Sequence, residues 1–275
     1  MGLFPKRRRR PTTLSSALAF AGAAATDEAS AAVRPKSPGE TKIVAIMGGD
    51  RGHNAVPLEY HVRSIFAPKK DWRLIFVLSS RFFTPGLIED ADLLITSRHS
   101  RPDDIDWRTD GLAETMETGA LLWSDENVKA IVDNVRNRGM GFLALHNTIA
   151  CGNRAIVDLL GIEPVPHNEV QPLWVRNLNS DHPITQGLGD FFINLDEQFA
   201  VVVKSEYSTT LFETAAMHDK RNAVGGWCLE NGKGRIVGLL PGHLRWAYRT
   251  RHYREMLWRA AHWAMNRYIP PYTGT

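Results

Sequence analysis

Gly139-Met140-Gly141-Phe142-Leu143-Ala144-Leu145-His146-Asn147-Thr148-Ile149-Ala150-Cys151-Gly152 is the stretch that decides how this chain folds. Phe142 to Leu145 is a short apolar run with the composition of a fully buried central strand. It breaks at the polar pair His146-Asn147. Helical spacing then returns from Thr148 to Leu160, with Asn147 or Thr148 available as the cap. A strand that runs straight into a helix puts its turn residues at the carboxyl edge of a parallel sheet, where open α/β folds bind ligands. His146 therefore falls where a reacting group is expected. A histidine that only hydrogen-bonds its own turn would leave the same trace, so this stretch alone keeps both readings open.

The flanking sequence extends the pattern. Lys42 to Met47 reads as the first buried strand and ends in the glycine-rich turn Gly48-Gly49-Asp50-Arg51-Gly52-His53-Asn54. That turn has neither the P-loop nor the dinucleotide-binding glycine spacing. Val56 to Phe66 reads as a helix, with Trp72 to Leu78 and Asp92 to Thr96 as the next strands. The latter ends in Ser97-Arg98-His99. Buried strands alternating with helices indicate right-handed crossovers and a mostly parallel sheet. Arg101 to Leu122 has no clear period and reads as a lid or an insertion. Ser124-Asp125-Glu126-Asn127 caps a helix from Val128 to Arg138, which Gly139 stops.

Shorter strands are expected downstream at Glu169 to Arg176, Phe199 to Val203, Ser208 to Phe212, Val224 to Leu229 and Arg235 to Leu240. Asn231-Gly232 is the hairpin turn between the last two. A closing helix, Arg249 to Tyr268, puts Tyr253, Leu257, Ala260, Ala261 and Ala264 on one side, and Trp258 and Trp263 help it cover the sheet. Pro270-Pro271 is its expected stop.

Composition narrows the function classes. The chain has 275 residues, 43% apolar and 23% charged, which suits one large α/β domain. Its formal charge is +3, but Lys6 and Arg7 to Arg10 supply five positive charges before the fold begins. No basic stripe interleaved with aromatics follows, so nucleic acid is not an expected partner. No apolar run is long enough to span a membrane. Two cysteines, Cys151 and Cys228, make neither a disulfide framework nor a thiolate zinc site. Residues 1–40 read as a disordered tail or an export signal followed by a linker, residues 41–269 as the folded domain and 270–275 as a tail. The arginine run followed by Leu14 to Ala25 matches the order of a twin-arginine leader. The weak apolar segment, with Asp27 and Glu28 behind it, favours the tail and a cytoplasmic location.

The polar residues gather at predicted strand ends. His53, His99 and His146 each follow the end of a parallel strand, and His243 follows Arg235 to Leu240 in Pro241-Gly242-His243. Such ends converge along one sheet edge. Asp196-Glu197 precedes a strand and can supply a carboxylate there. Imidazoles with a carboxylate suit proton transfer, and the same groups suit a divalent metal. No His-Glu-x-x-His spacing is present, so no metal or cofactor is assigned and a divalent ion stays an alternative. Cys151 lies in the first turn of the expected helix, where a thiol can be activated. The turn itself belongs to His146, and both cysteines read as small buried apolar residues.

Several stretches together resemble the ThuA-like (trehalose utilisation) family, related to the class I glutamine amidotransferases. They are Gly48-Gly49 with His53, Gly141 to His146, His167, and Asp181-His182-Pro183-Ile184-Thr185-Gln186-Gly187-Leu188. Asp196-Glu197-Gln198-Phe199, Gly232-Lys233-Gly234-Arg235, Pro241-Gly242-His243 and the Trp-rich closing helix complete the set. The match spans Thr41 to Tyr268. The chain departs from the family pattern at Asn147, at Pro241 and in the length of Arg101 to Leu122.

The resemblance implies a three-layer flavodoxin-like α/β fold and a role in carbohydrate metabolism on keto-sugars or 3-keto-glycosides supplied by a partner sugar dehydrogenase. Isomerisation, elimination and hydrolysis are the reaction types considered. His146, Glu197 and His243 are the expected catalytic residues. His53, Asn147, His99, His167 and Trp246 are the expected substrate contacts. The turn holds no cysteine, so glutaminase activity is expected to be absent. A non-catalytic sugar-binding protein, with Trp246 or Trp174 stacking on the sugar, is the alternative from another class; a metal-dependent hydrolase is a third. A homo-oligomer is compatible with each.

Overall fold

The structure is a computed structural model that describes residues 34–48, 53, 55–66, 69–77, 79–99 and 122–274. Lys36–Thr275 form one compact unit. The N-terminal segment and the Arg101 to Leu121 part of the expected lid lie outside the described residues.

The chain opens with β1 (Thr41–Met47), α1 (Ala55–Phe66) and β2 (Trp72–Val77), followed by the short helix α2 (Pro85–Ile88) and β3 (Leu93–Ser97). Next come α3 (Asp125–Asp133), a single π turn at Asn134–Arg138, β4 (Gly141–Leu145) and α4 (Arg154–Leu160). Strands β5 (Ile162–Val165), β6 (Val170–Asn177), β7 (Phe191–Glu197), β8 (Ala200–Val203), β9 (Ser208–Ala216), β10 (Asn222–Asn231) and β11 (Gly234–Leu239) follow. Helices α5 (Arg245–Arg249) and α6 (Arg251–Ala264) close the fold.

Among the described residues the main sheet has nine strands in the order β2-β1-β3-β4-β11-β10-β9-β6-β7, and β5 pairs with β8 in a separate ribbon. From β2 to β11 every pairing is parallel, and from β11 to β7 every pairing is antiparallel. The parallel block is the flavodoxin-like part that the alternating strands and helices called for. The second half of the sequence builds the antiparallel extension. Helices α1, α5 and α6 pack together on one side of the sheet, and α2, α3 and α4 on the other, which gives the three layers.

Alternation along the central strands fills both sides. Ile43, Ala45 and Met47 of β1, Leu93 and Ile95 of β3, Leu143 and Leu145 of β4, and Val237 and Leu239 of β11 meet the apolar face of α1 and α6. Tyr253, Leu257, Ala260, Ala261 and Ala264 are all buried in that contact, as the helical spacing required. The approach is close: a Cβ on Gly141 would lie 2.7 Å from the Ala264 carbonyl oxygen, so only glycine lets α6 settle on β4.

Three local expectations are corrected. Thr148 to Leu160 is not one helix: His146–Ala150 is a 3-10 turn, and α4 starts at Arg154. Its cap is Asn153, whose side chain accepts from the Ala155 N–H at 3.0 Å. Asn147 and Thr148 spend their side chains tying the turn to β3 instead. The closing segment kinks at Thr250 into α5 and α6 and stops at Ala264, well before Pro270. Asn266 takes the left-handed conformation there, with φ at 53°. β7 and β5 have no counterpart among the expected strands: the run Phe191 to Ile193 hides the alternation of β7, and β5 is four residues long with Pro164 inside it.

Candidate active site

Four strands that end at the same sheet edge build the site. β1, β3, β4 and β11 are neighbours and mutually parallel, so the residues that follow them emerge side by side. His53 comes after β1, His99 after β3, His146 directly after β4, and His243 after β11. Glu197 arrives from the antiparallel half as the last residue of β7.

His146 sits at the sharpest point. Its φ is 41°, a left-handed backbone that non-glycine residues seldom adopt. The turn is held by Thr148, whose hydroxyl donates to the Thr96 carbonyl at 2.7 Å, and by Asn147, whose side-chain oxygen accepts from the Ser97 hydroxyl at 3.1 Å. The His146 ring is fully buried. Its Nδ1 lies 2.9 Å from the Leu240 carbonyl oxygen, which can only accept, so Nδ1 carries the hydrogen and Nε2 presents a lone pair inward.

That lone pair meets three other groups. Nε2 of His146 is 3.1 Å from Nε2 of His53, 3.3 Å from Nδ1 of His243 and 3.4 Å from Oε2 of Glu197. His53 and His243 are 3.0 Å apart through the same atoms, and Glu197 Oε2 is 3.5 Å from His243 Nδ1. The other carboxylate oxygen, Oε1, is 3.0 Å from Nδ1 of His167, a half-exposed residue whose ring stacks on Phe199 at 4.8 Å. Phe199 also closes the wall beside His146, with ring centroids 4.4 Å apart. Among the described residues, these four ligand-type groups, His53, His146, His243 and Glu197, form a set that could hold a metal ion.

Burial and charge set the protonation states. Burial pushes the His146 imidazole down to about 4, against the pull of the Glu197 carboxylate and with His53 and His243 adding to the push. Burial also opposes the charge on Glu197; a hydrogen bond from His146 and positive charge on His146, His243 or His167 pull the other way and lower its carboxyl, a pull that His146 exerts only when protonated on Nε2. The site thus pairs a neutral imidazole with an ionised carboxylate.

The residues expected from the sequence divide into two groups. His53, His146, His243 and Glu197 meet directly, His167 joins through Glu197, and His99 lies edge-on to His53 with centroids 5.7 Å apart. Asn147 is buried beside His146, and its amide nitrogen has no hydrogen-bond partner among the described residues. Trp246 is engaged elsewhere: it packs partly buried against the core, with the Arg245 and Arg249 guanidinium groups 5.4 and 5.7 Å from its ring centre. Trp174 is exposed on β6, against Phe192.

Of the pair Asp196-Glu197 that the sequence offers as a source of a carboxylate, Glu197 enters the cluster and Asp196 supports it, while Phe199 from the same motif forms a wall. Asp196 is fully buried and binds the loop that carries His243: Oδ2 accepts from the Gly242 N–H at 2.7 Å, and Oδ1 from Leu244 at 3.1 Å and from Glu197 at 3.0 Å. Burial pushes its carboxyl up to about 7 in spite of those donors. Gly242 has φ at 133°, and a Cβ there would meet the Tyr248 hydroxyl at 2.7 Å, so the loop has room for glycine alone. The only sequence signal for Asp196 was its place next to Glu197.

A flavodoxin-like sandwich with a left-handed turn residue at the end of its central strand is the frame of the class I glutamine amidotransferase-like proteins. Within that class, a family model described as ThuA, trehalose utilisation, matches residues 104–264, more than half the chain, and the chain belongs to that family. Solved structures agree on the fold. A ThuA-like protein from Parabacteroides merdae superposes with a TM-score of 0.64 at 13% identity, over 84% of this chain and 92% of that one. A ThuA-like protein from Bacteroides uniformis gives 0.61 at 14%, over 84% and 93%. A cytoplasmic protein from Salmonella typhimurium LT2 gives 0.57 at 13%, over 82% and 99%. No curated protein matches the sequence. No helix among the described residues is long and apolar enough to cross a membrane.

Proposed function

We propose that this ThuA family member is an enzyme of carbohydrate metabolism that acts on a keto-sugar or 3-keto-glycoside by moving a proton next to the carbonyl. The observation that supports this most is the Glu197 carboxylate, which turns one oxygen to the buried imidazoles and the other to His167. A C3 carbonyl acidifies the neighbouring C–H, so a positioned base starts the reaction without a redox cofactor. In an elimination, the C2 proton goes to the base and its electron pair forms the enolate. The C3 carbonyl then re-forms as the C1–oxygen bond breaks, and the departing oxygen leaves with a proton. Isomerisation stops at the enolate and returns the proton to a different atom.

His167 is the best candidate for the proton carrier, with the Glu197 carboxylate orienting it. His167 is 51% exposed on its side chain, within reach of a substrate, and its Nδ1 lies 3.0 Å from the Glu197 carboxylate. His146 has no exposed surface and both ring nitrogens engaged, which suits it to shaping the pocket, while His53 and His243 contact the carbonyl or hydroxyl oxygens. A binding protein would use the same pocket, so turnover decides between the two readings. The test is an NMR time course of the purified protein with 3-keto-trehalose. Conversion that falls at least about 100-fold in His167→Gln, the usual worth of a general acid or base, supports the reading. Line broadening of the sugar without conversion would favour the binding protein, and neither effect would remove this substrate class.

A further inference from the structure

The five distances at the centre of the site are hard to explain with protons alone. Nε2 of His146 carries a lone pair, because its Nδ1–H is committed to the Leu240 carbonyl. If Nε2 of His53 donates to His146, then Nδ1 of His243, 3.0 Å away, offers one of two poor partners. It is either a second N–H set against the first, or a lone pair 3.5 Å from the Glu197 carboxylate. If Nε2 of His53 bears a lone pair instead, it faces the His146 lone pair at 3.1 Å. No arrangement of neutral imidazoles satisfies all five contacts. A single positive ion at their centre does.

The spacing is also the right size. Nitrogen and oxygen ligands about 2.0–2.2 Å from a metal lie about 3.3–3.6 Å from one another in a tetrahedron and about 2.8–3.1 Å in the cis positions of an octahedron. The observed 3.0, 3.1, 3.3, 3.4 and 3.5 Å fall between those geometries.

We infer that His53, His146, His243 and Glu197 form a binding site for a divalent first-row transition ion, with His146 and Glu197 oriented by partners outside the ligand set. Three imidazoles and one carboxylate, without a thiolate, suit Zn²⁺, Co²⁺, Fe²⁺ or Mn²⁺, and an oxygen-seeking Mg²⁺ or Ca²⁺ poorly. The Leu240 carbonyl fixes the His146 tautomer, and His167 holds the free oxygen of Glu197. Asp196 holds the backbone on both sides of His243. This is the outer support that metal-binding imidazoles and carboxylates use. The ligands come from four separate segments, so no local motif could announce them. The assignment stands on ligand geometry and does not depend on the sugar substrate, so the two readings fail separately.

The test strips the full-length protein with a chelator and adds back Zn²⁺ or Co²⁺ alone. Calorimetry and elemental analysis should give one ion per chain. X-ray absorption of the Zn²⁺ protein should count three imidazoles, and Co²⁺ should show a visible spectrum of low-symmetry coordination. His53→Gln and Glu197→Gln should each weaken binding at least about 100-fold, the upper end of what an outer partner alone is worth. Wild type should gain thermal stability from the ion, and the variants should not. No stoichiometric binding, fewer than two imidazoles around Zn²⁺, or folded variants that bind within tenfold of wild type would each overturn the site. The absorption count uses wild type only, so a variant that does not fold leaves the test intact.

Discussion

In mild acid, Asp196→Ala is expected to destabilise the fold out of proportion to the single carboxyl it removes. Three backbone N–H groups end on that side chain, from Gly242 at 2.7 Å, Glu197 at 3.0 Å and Leu244 at 3.1 Å. The bond from Gly242 is buried, and the other two are partly open to water. Leaving a buried donor unsatisfied costs about 1–3 kcal/mol, and a donor that water can reach costs about half that or less. The sum is roughly 2–6 kcal/mol. Against it stands the relief of a carboxyl that burial disfavours, as its rise to about 7 records. At about 1.4 kcal/mol per unit that relief is worth about 4 kcal/mol at neutral pH and nearly cancels the loss there; near pH 4, where the folded carboxyl is already protonated, it falls below about 1 kcal/mol and a net loss of about 1–5 kcal/mol is expected, so the measurement is made at that pH. Urea unfolding, followed by tryptophan fluorescence on metal-stripped wild type and variant, gives the free energy directly. A loss under about 0.5 kcal/mol, the level of an ordinary surface change, would refute the claim that Asp196 fastens the loop.

Two further expectations concern other parts of the molecule. Burial opposes the charge on Asp90, but the buried Lys42 ammonium and the Lys36 N–H, at 2.6 Å, outweigh it and hold the carboxyl below its ordinary range. A lowered folded-state value means that the stabilisation is fully present above the unfolded value of about 4 and is lost as pH falls through the folded one. The stability gap between wild type and Asp90→Asn should therefore be widest near neutral pH and close below about pH 4 in denaturant titrations; a gap that widens in acid would reverse the sign argued here. Separately, the chain should release no ammonia from glutamine, because burial raises the Cys151 thiol and its Sγ–H faces the Asn153 carbonyl. Glutaminase activity that Cys151→Ala removes would overturn this.

The candidate site was more legible than the elements around it. His53, His99, His146 and His243 could be placed together because each follows a buried apolar run, and parallel strands send such residues to one edge. The sheet order confirms the physical premise, since β1, β3, β4 and β11 are neighbours. The sequence places Glu197 before a strand, whereas it ends β7, whose buried positions Phe191, Ile193 and Asp196 break strict alternation and include a carboxylate. The supporting role of Asp196 is obscured by its type, because a carboxylate is seldom buried and it is the backbone donors of Gly242, Leu244 and Glu197 that explain it. The Leu240 carbonyl that fixes His146 leaves no trace in any side chain. The break between His146 and Arg154 was lost to the apolar spacing of Ile149, Ile156 and Leu160, which a 3-10 turn and a helix share.

The turn after β4 also explains why relatedness to amidotransferases does not carry their chemistry here. In a nucleophile elbow the left-handed residue supplies the thiol, and its strain aims the sulfur at the substrate. Here the same backbone position is taken by His146, with φ at 41°, and the nearest thiol sits five residues on and buried. A histidine in that conformation costs about 1–3 kcal/mol and persists only where its surroundings determine it. The surroundings do so from three directions: Thr148 and Asn147 tie the turn to the end of β3, and the Leu240 carbonyl takes the Nδ1 hydrogen. The effect of all three is to direct one lone pair, that of Nε2, at the point where His53, His243 and Glu197 converge. The strain that aims a nucleophile in one branch of this fold thus aims a ligand in this one, and the chemistry passes from the turn residue to whatever that ligand holds.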